Sequence, residues 1–154
     1  MSHVLTIHQG DMRSKVNALE EYMKVGLAGE LLELPVCHHF AEGTYGRELF
    51  IPKGTLLTGK IHKYSQLNVL LCGDLSVLTE DGIKRVQPPF VIVSPPGTKR
   101  IAYAHEDTRW LTVHGTVERD LEKIEAHFIA QTDKEYADFC KLIEEGEQKC
   151  LGQQ

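Results

Sequence analysis

The hydrophobic pattern first becomes regular over residues 14–23. Val16, Leu19 and Met23 recur there at three- and four-residue spacing, which places them on one face of a helix. Gly26 follows and ends the pattern. The sequence therefore predicts an amphipathic N-terminal helix that packs against another part of the chain.

The pattern changes over residues 36–115, where short runs of β-forming residues alternate with turn signals. Typical runs are RELFIPKG, LNVLLCGDLSVLTEDG and RWLTVHGT. Asp81-Gly82, between two such runs, is the strongest hairpin signal in the chain. Short strands at regular spacing indicate a sandwich or a barrel. We therefore predict a mostly antiparallel β-barrel in this segment.

A helical pattern returns near the C-terminus. Leu121, Ile124 and Phe128 share one helical stripe. Thr132 and Glu135 have the spacing of a capping box at the start of a further helix. The chain therefore ends, as it begins, in helices.

The length of the chain fits one domain. With 154 residues, 42% of them hydrophobic, it can bury a core without disulfides or a structural metal. We predict a single domain over residues 1–154, with a helical segment over 1–35, a β-barrel over 36–115 and helices over 116–154. The fold class is mainly β.

Charge and hydropathy exclude several kinds of partner. The formal net charge is -5 and no Lys/Arg-rich block is present, which argues against a nucleic-acid partner. No apolar run approaches the roughly 20 residues that span a bilayer, and the N-terminus lacks the features of a secretory signal. We expect a cytoplasmic protein that binds neither nucleic acid nor membrane.

Two spaced motifs stand in the strand region. In the first, Lys60-x-His62 is followed by Gln66 after three residues and by Gly73 after six more. In the second, Pro95-Pro96-Gly97 is followed by Arg100 after two residues. The two frames resemble the motifs of the cupin superfamily, where His-x-His, a glutamate and a later histidine hold a metal. Only His62 is kept among these four ligands.

The resemblance implies a double-stranded β-helix, or jelly-roll barrel, over about residues 36–115. The stretches ELFIPKGTLLTGKIHK and VSPPGTKR are also similar to short cupin-like proteins of bacteriophage and bacterial genomes, a group without a settled activity. Because the barrel serves isomerases, dioxygenases and plain binding modules, the function must be argued from the site.

Alternation along the first motif predicts which side chains line the cup of the barrel. If His62 points inward, Lys60, Tyr64, Gln66 and Asn68 share its face.

Two more residues complete the predicted cup. The second motif aims Arg100 at the same centre. On the last β-run, His114 shares a face with Trp110 and Thr112. It joins His62 if that face is inward, and the sequence leaves this parity open.

One interpretation of the cup is a divalent metal site. His62, Gln66 and His114 would be its ligands, with His38 or His39 available to complete the shell. A transition metal needs three or more ligands from His, Cys, Asp or Glu, and an amide oxygen is a weak substitute. The predicted cofactor is therefore none or a divalent metal ion.

The favoured interpretation is a cationic cup for a small anionic molecule. Lys60 and Arg100 would bind a carboxylate or phosphate, as in a nucleotide, a sugar phosphate or a carboxylate metabolite, with Tyr64, Gln66 and Asn68 beside them. The protein would bind or process that molecule.

Two other functions stay open from the sequence. In an enzyme, hydrolytic or oxidative, His62 and His114 would be the catalytic residues, as general base and acid or as metal ligands. In a protein–protein interaction module, side chains would fill the cup. We also predict a homodimer, because the terminal helices carry more apolar face than a small barrel needs.

Overall fold

The computed structural model describes residues 9–26, 33–79 and 81–151. Three helices lie at the ends of the chain: α1 (Gln9–Gly26), α2 (Leu121–Phe128) and α3 (Asp133–Leu151). The strands are β1 (Val36–Ala41), β2 (Thr44–Ile51), β3 (Leu56–Thr58), β4 (Ile61–His62), β5 (Gln66–Cys72), β6 (Leu75–Thr79), β7 (Gly82–Val86), β8 (Phe90–Ser94), β9 (Ile101–Ala104), β10 (Thr108–Gly115) and β11 (Ile129–Ala130).

The strands form two facing antiparallel sheets. The larger sheet has the order β1-β2-β10-β5-β8, and the smaller has the order β3-β9-β6-β7. From β2 to β10 the chain passes back and forth between the two sheets, with β6 and β7 as a hairpin within the smaller one. This is the double-stranded β-helix arrangement. The predicted fold class is confirmed. The short β11 pairs with β4 and adds a strand that the sequence did not predict in the C-terminal segment.

Apolar side chains fill one half of the space between the sheets. Ile51, Leu70, Leu75, Val77 and Ala104 form the buried cluster there. Burying a side chain such as Leu70 contributes roughly 1.5–3 kcal/mol. This cluster fixes the two sheets against each other and leaves the other half of the barrel to polar residues.

The glycines of the two motif frames are required by the backbone. Gly73 has φ +101°, and a Cβ there would lie 2.2 Å from Thr108 Oγ1. Gly97 has φ +79°, and its Cβ would meet the Tyr136 hydroxyl at 2.7 Å. Both positions combine left-handed backbone with a close neighbour, which only glycine tolerates.

The helices cover the outside of the barrel near the second motif. Val16 of α1 is 1% exposed, and Arg13 donates a hydrogen bond to the Gly97 carbonyl. Asp120 caps α2 by accepting from two backbone N–H groups. Within the ranges that the structure describes, no helix is long and apolar enough to cross a membrane.

Candidate functional site

The polar half of the barrel is lined by the large sheet. Side chains alternate along each strand, so every second residue of β2, β5, β8 and β10 points inward. The inward polar residues are Tyr45, Arg47, Gln66, Asn68, Ser94, Thr112 and His114. The sequence left open which face of β10 points inward. His114 is 6% exposed and lies inside the barrel, so its face of β10 is the inward one.

Asn68 holds the centre of this wall. Its Nδ2 donates to Ser94 Oγ at 3.0 Å, and its Oδ1 accepts from Thr112 Oγ1 at 2.9 Å and Trp110 Nε1 at 3.2 Å. Asn68 is 3% exposed and Ser94 is fully buried. The amide therefore fixes three neighbouring strands in register at the base of the cup.

Arg100 enters the cup from the segment before β9. Its Nη1 donates to Ser94 Oγ at 2.5 Å, and burial lowers the pKa of its guanidinium. Arginine stays charged in proteins. Among the described residues, no carboxylate pairs with this guanidinium.

His62 and His114 face each other across the cup. Their ring centroids are 5.7 Å apart. Burial lowers the pKa of each ring to about 4, and the nearby positive charge of Arg47 acts in the same direction. Both rings are therefore neutral at pH 7. The buried atoms His62 Nδ1 and Gln66 Oε1 have no hydrogen-bonding partner in the described part of the chain.

Arg47 is a cup residue that the sequence analysis missed. It lies on β2, opposite Thr112 of β10. It is close enough to His62 and His114 for its charge to lower the pKa of both rings. No hydrogen bond or ion pair engages its guanidinium within residues 9–26, 33–79 and 81–151. The alternation of Tyr45, Arg47 and Leu49 on β2 was the signal that could have found it.

Lys60 and Tyr64 lie outside the cup, because the strand on which they were placed is not continuous. β4 ends at His62 and pairs with β11, and the chain bends before β5 begins at Gln66 in the other sheet. The alternation of inward and outward side chains along a strand cannot be extended across such a bend. Ile61, expected on the outer face, is accordingly 2% exposed.

The side chains of these two residues contact the C-terminal helices. Lys60 forms an ion pair with Glu125 at the rim of the cup. Tyr64 packs against Phe128 and Phe139.

Helix α2 forms a roof over the histidine side of the cup. The Phe128 ring stacks on His114 with centroids 4.3 Å apart, and Ile124 and Phe128 share an apolar cluster with Tyr45. This explains the burial of both histidines. Two surface cavities, of about 230 and 340 Å³, lie outside the cup, at the end of β1 and along α2.

The cup is a poor site for a divalent metal. It offers two imidazoles and one amide oxygen, and the charges of Arg47 and Arg100 both act on His62. Glu125 at the rim is close enough to Arg47 for the two charges to interact, but it already pairs with Lys60. No carboxylate pairs with Arg100 among the residues described. Positive charge at this distance opposes a cation.

The two other candidate ligands do not reach the cup centre. His38 Nδ1 lies 2.8 Å from the Tyr45 hydroxyl. His39 points to the outer face, where its Nε2 is 2.7 Å from Glu48 Oε2. There, Cys37, His39 and Glu48 place ligand atoms within 4.8 Å of one another, and the described residues form no other such group. Arg109 also pairs with Glu48.

Comparison with known proteins bears on the fold alone. No family model matches the sequence, and no curated protein matches it. A cupin 2 domain-containing protein from Halorhodospira halophila is 13% identical with a TM-score of 0.49, covering 73% of this chain and 82% of that one. KdgF from Halomonas sp. is 15% identical with a TM-score of 0.48, covering 58% and 85%.

A third solved structure carries the name of the fold in its description. It is an uncharacterized conserved protein with a double-stranded β-helix domain from Klebsiella pneumoniae, 11% identical with a TM-score of 0.48, covering 65% of this chain and 81% of that one. Such identities say nothing about activity. The strand order and register of the chain itself, together with its two motif frames, make it a small protein with the cupin fold.

Proposed function

We propose that the protein binds a small anionic molecule in its cup. The observation that carries this proposal is the pair Arg47 and Arg100, two guanidinium groups directed into one cup that form no ion pair with a carboxylate among the described residues. A buried charge is costly unless it is paired. A ligand carboxylate or phosphate supplies the missing partner, and the planar guanidinium matches both groups.

Neighbouring groups support an anion of more than one oxygen. Ser94 lies beside Arg100, and because its oxygen accepts from both Asn68 and Arg100, its hydroxyl hydrogen remains to donate to a ligand. His62 is neutral and has an unused ring nitrogen. These groups therefore converge on the polar half of the barrel from the larger sheet, from β4 and from the segment before β9.

Access to this ligand passes the α2 roof. Phe128 covers His114, and the Lys60–Glu125 ion pair stands at the rim. We infer that the anion enters at this exposed rim, where Lys60 neutralises the charge of Glu125.

A histidine-dependent enzyme is the second candidate. It is favoured by the two neutral histidines, because a neutral imidazole can accept a proton from a water that attacks a bound phosphate ester. Arg47 and Arg100 would then stabilise the developing negative charge. The chemistry would be hydrolytic and would need no metal.

Thermal shift with a panel of anions tests the binding proposal. Sulfate, phosphate, citrate and AMP should raise the melting temperature of the wild-type protein, because a ligand that binds only the native state stabilises it. Arg100→Gln should weaken binding on the order of 30-fold or more. Arg119→Gln is the matched control, since Arg119 is exposed and lies over Phe40 outside the cup.

The controls separate the alternatives. If no anion stabilises the wild type, or if Arg119→Gln and Arg100→Gln lose the same affinity, the cup proposal is wrong. Release of p-nitrophenol from p-nitrophenyl phosphate esters, lost in His62→Gln, would identify the hydrolytic enzyme. Binding without turnover would leave a binding module.

A further inference from the structure

One sheet edge of the barrel differs from the other three. The edges are β1 and β8 in the larger sheet and β3 and β7 in the smaller. An edge strand presents unpaired backbone N–H and C=O groups. Proteins guard such edges with charged or polar side chains, or keep them very short.

Three of the edges are guarded in these ways. β3 has only three residues. β7 carries Lys84 and Arg85, and β1 carries His38 and His39.

The edge strand β8 has no such protection. It reads Phe-Val-Ile-Val-Ser over five residues without a charge. Val91 is 63% exposed and Val93 is 64% exposed. Its backbone pairs with β5 on one side, and no pairing on the other side occurs among the described residues.

Prolines limit this free edge to a window of five residues. Pro88-Pro89 precedes β8 and Pro95-Pro96 follows it. Because proline has no backbone N–H, a partner strand can pair only with Phe90–Ser94. The open edge is therefore long enough for one specific contact and too short for continued sheet growth.

We propose that β8 pairs antiparallel with β8 of a second copy of this chain, about a two-fold axis at Ile92. Antiparallel pairing of a strand with itself is two-fold symmetric. Only the register centred on Ile92 pairs all five residues between the prolines.

This register has consequences for the side chains. Val91 lies opposite Val93 of the partner subunit, so the exposed valines of the two β8 strands cover one another. Neither strand carries a charge that would oppose the contact. Roughly four to six backbone hydrogen bonds form across the seam, and the large sheet continues through both subunits.

The terminal helices offer a weaker reason for self-association than the sequence predicted. Val16 of α1 and Ile124 and Phe128 of α2 are buried within the chain itself. The homodimer that we propose therefore rests on β8. Since the seam is small, its dissociation constant should be on the order of micromolar.

Sedimentation equilibrium over low to high micromolar protein concentration tests the interface. The wild type should dimerise, and Val91→Lys/Val93→Lys should weaken the dimer by roughly tenfold or more, because lysines then face each other across the seam. Ile83→Lys is the matched control, since Ile83 is 75% exposed on the guarded edge β7. It should dimerise like the wild type.

Amide hydrogen exchange locates the contact without a mutation. Exchange in residues 90–94 should slow as protein concentration rises, while residues 82–86 of β7 stay unchanged. A wild type that is monomeric throughout overturns the proposal. So does a dimer that tolerates the double lysine variant or leaves residues 90–94 unprotected.

Discussion

The charge of Arg47 acts on two buried, neutral histidines, and the charge of Arg100 acts on one of them, His62. Because the pKa of His62 and of His114 is about 4 in the folded protein and about 6.5 in an unfolded chain, protons bind preferentially to the unfolded state. The contribution of these rings to the free energy of unfolding is at its maximum above pH 6.5, and it falls as the pH decreases toward 4. The slope is at most about 1.4 kcal/mol per pH unit for each ring.

Urea unfolding at pH 7 and pH 5 checks this pH dependence. The wild type should lose stability between the two values, and His62→Gln/His114→Gln should lose less. His127→Gln serves as the control, because His127 is exposed on α2. Equal loss in the wild type and the double variant would show that other groups carry the pH dependence.

Asn68 offers a charge test that keeps the shape of the cup. Asn68→Asp retains the acceptor for Thr112 and Trp110, while its new carboxylate pairs with the guanidinium charge nearby. We expect the fold to persist and the stabilisation by phosphate to disappear in thermal shift. A variant that folds and still responds to phosphate like the wild type would contradict the electrostatic account.

Asn68→Ala separates packing from charge. It removes the partner of Ser94, Thr112 and Trp110 at once, and an unpaired buried polar group costs about 1–3 kcal/mol. Urea unfolding should therefore report a loss of stability with Asn68→Ala, and a much smaller one with Asn68→Asp.

At the scale of elements, the turn at Gly73 joins the two sheets. Its positive φ and the close approach of Thr108 exclude any side chain. Gly73→Ala should destabilise the protein on the order of 4 kcal/mol or prevent folding. Gly146→Ala is the control, because open space surrounds Gly146 in α3 and alanine favours a helix by up to about 1 kcal/mol. Thermal unfolding that ranks the two variants equally would contradict this reading of the turn.

Sequence patterns predicted the elements better than the orientation of side chains. The turn signals and motif glycines gave the barrel because each reflects a local backbone requirement. The placement of Lys60 and Tyr64 assumed one continuous strand, and the bend between β4 and β5 depends on pairing with the distant β11. Arg47 was missed because its inward face is fixed by pairing with β10, more than sixty residues away.

At the scale of the whole molecule, the barrel divides into an apolar half and a cationic half. The cluster around Leu70 holds the sheets together, while the other half gathers Arg47, Arg100 and the two histidines under α2. The chain as a whole is acidic, with a formal net charge of -5. In our proposal the cup is therefore a local positive region that binds a small anion, which the outer surface would not attract.

Calorimetric titration with sulfate tests this central claim most directly, because sulfate keeps the same charge between pH 5 and pH 8 and needs only cationic recognition. The account predicts saturable binding of one sulfate per wild-type chain, tighter at pH 5.5 than at pH 7.5 because the bound anion favours protonated histidines, and none in Arg47→Gln/Arg100→Gln. Absence of binding to the wild type, or equal binding to the double variant, would contradict it.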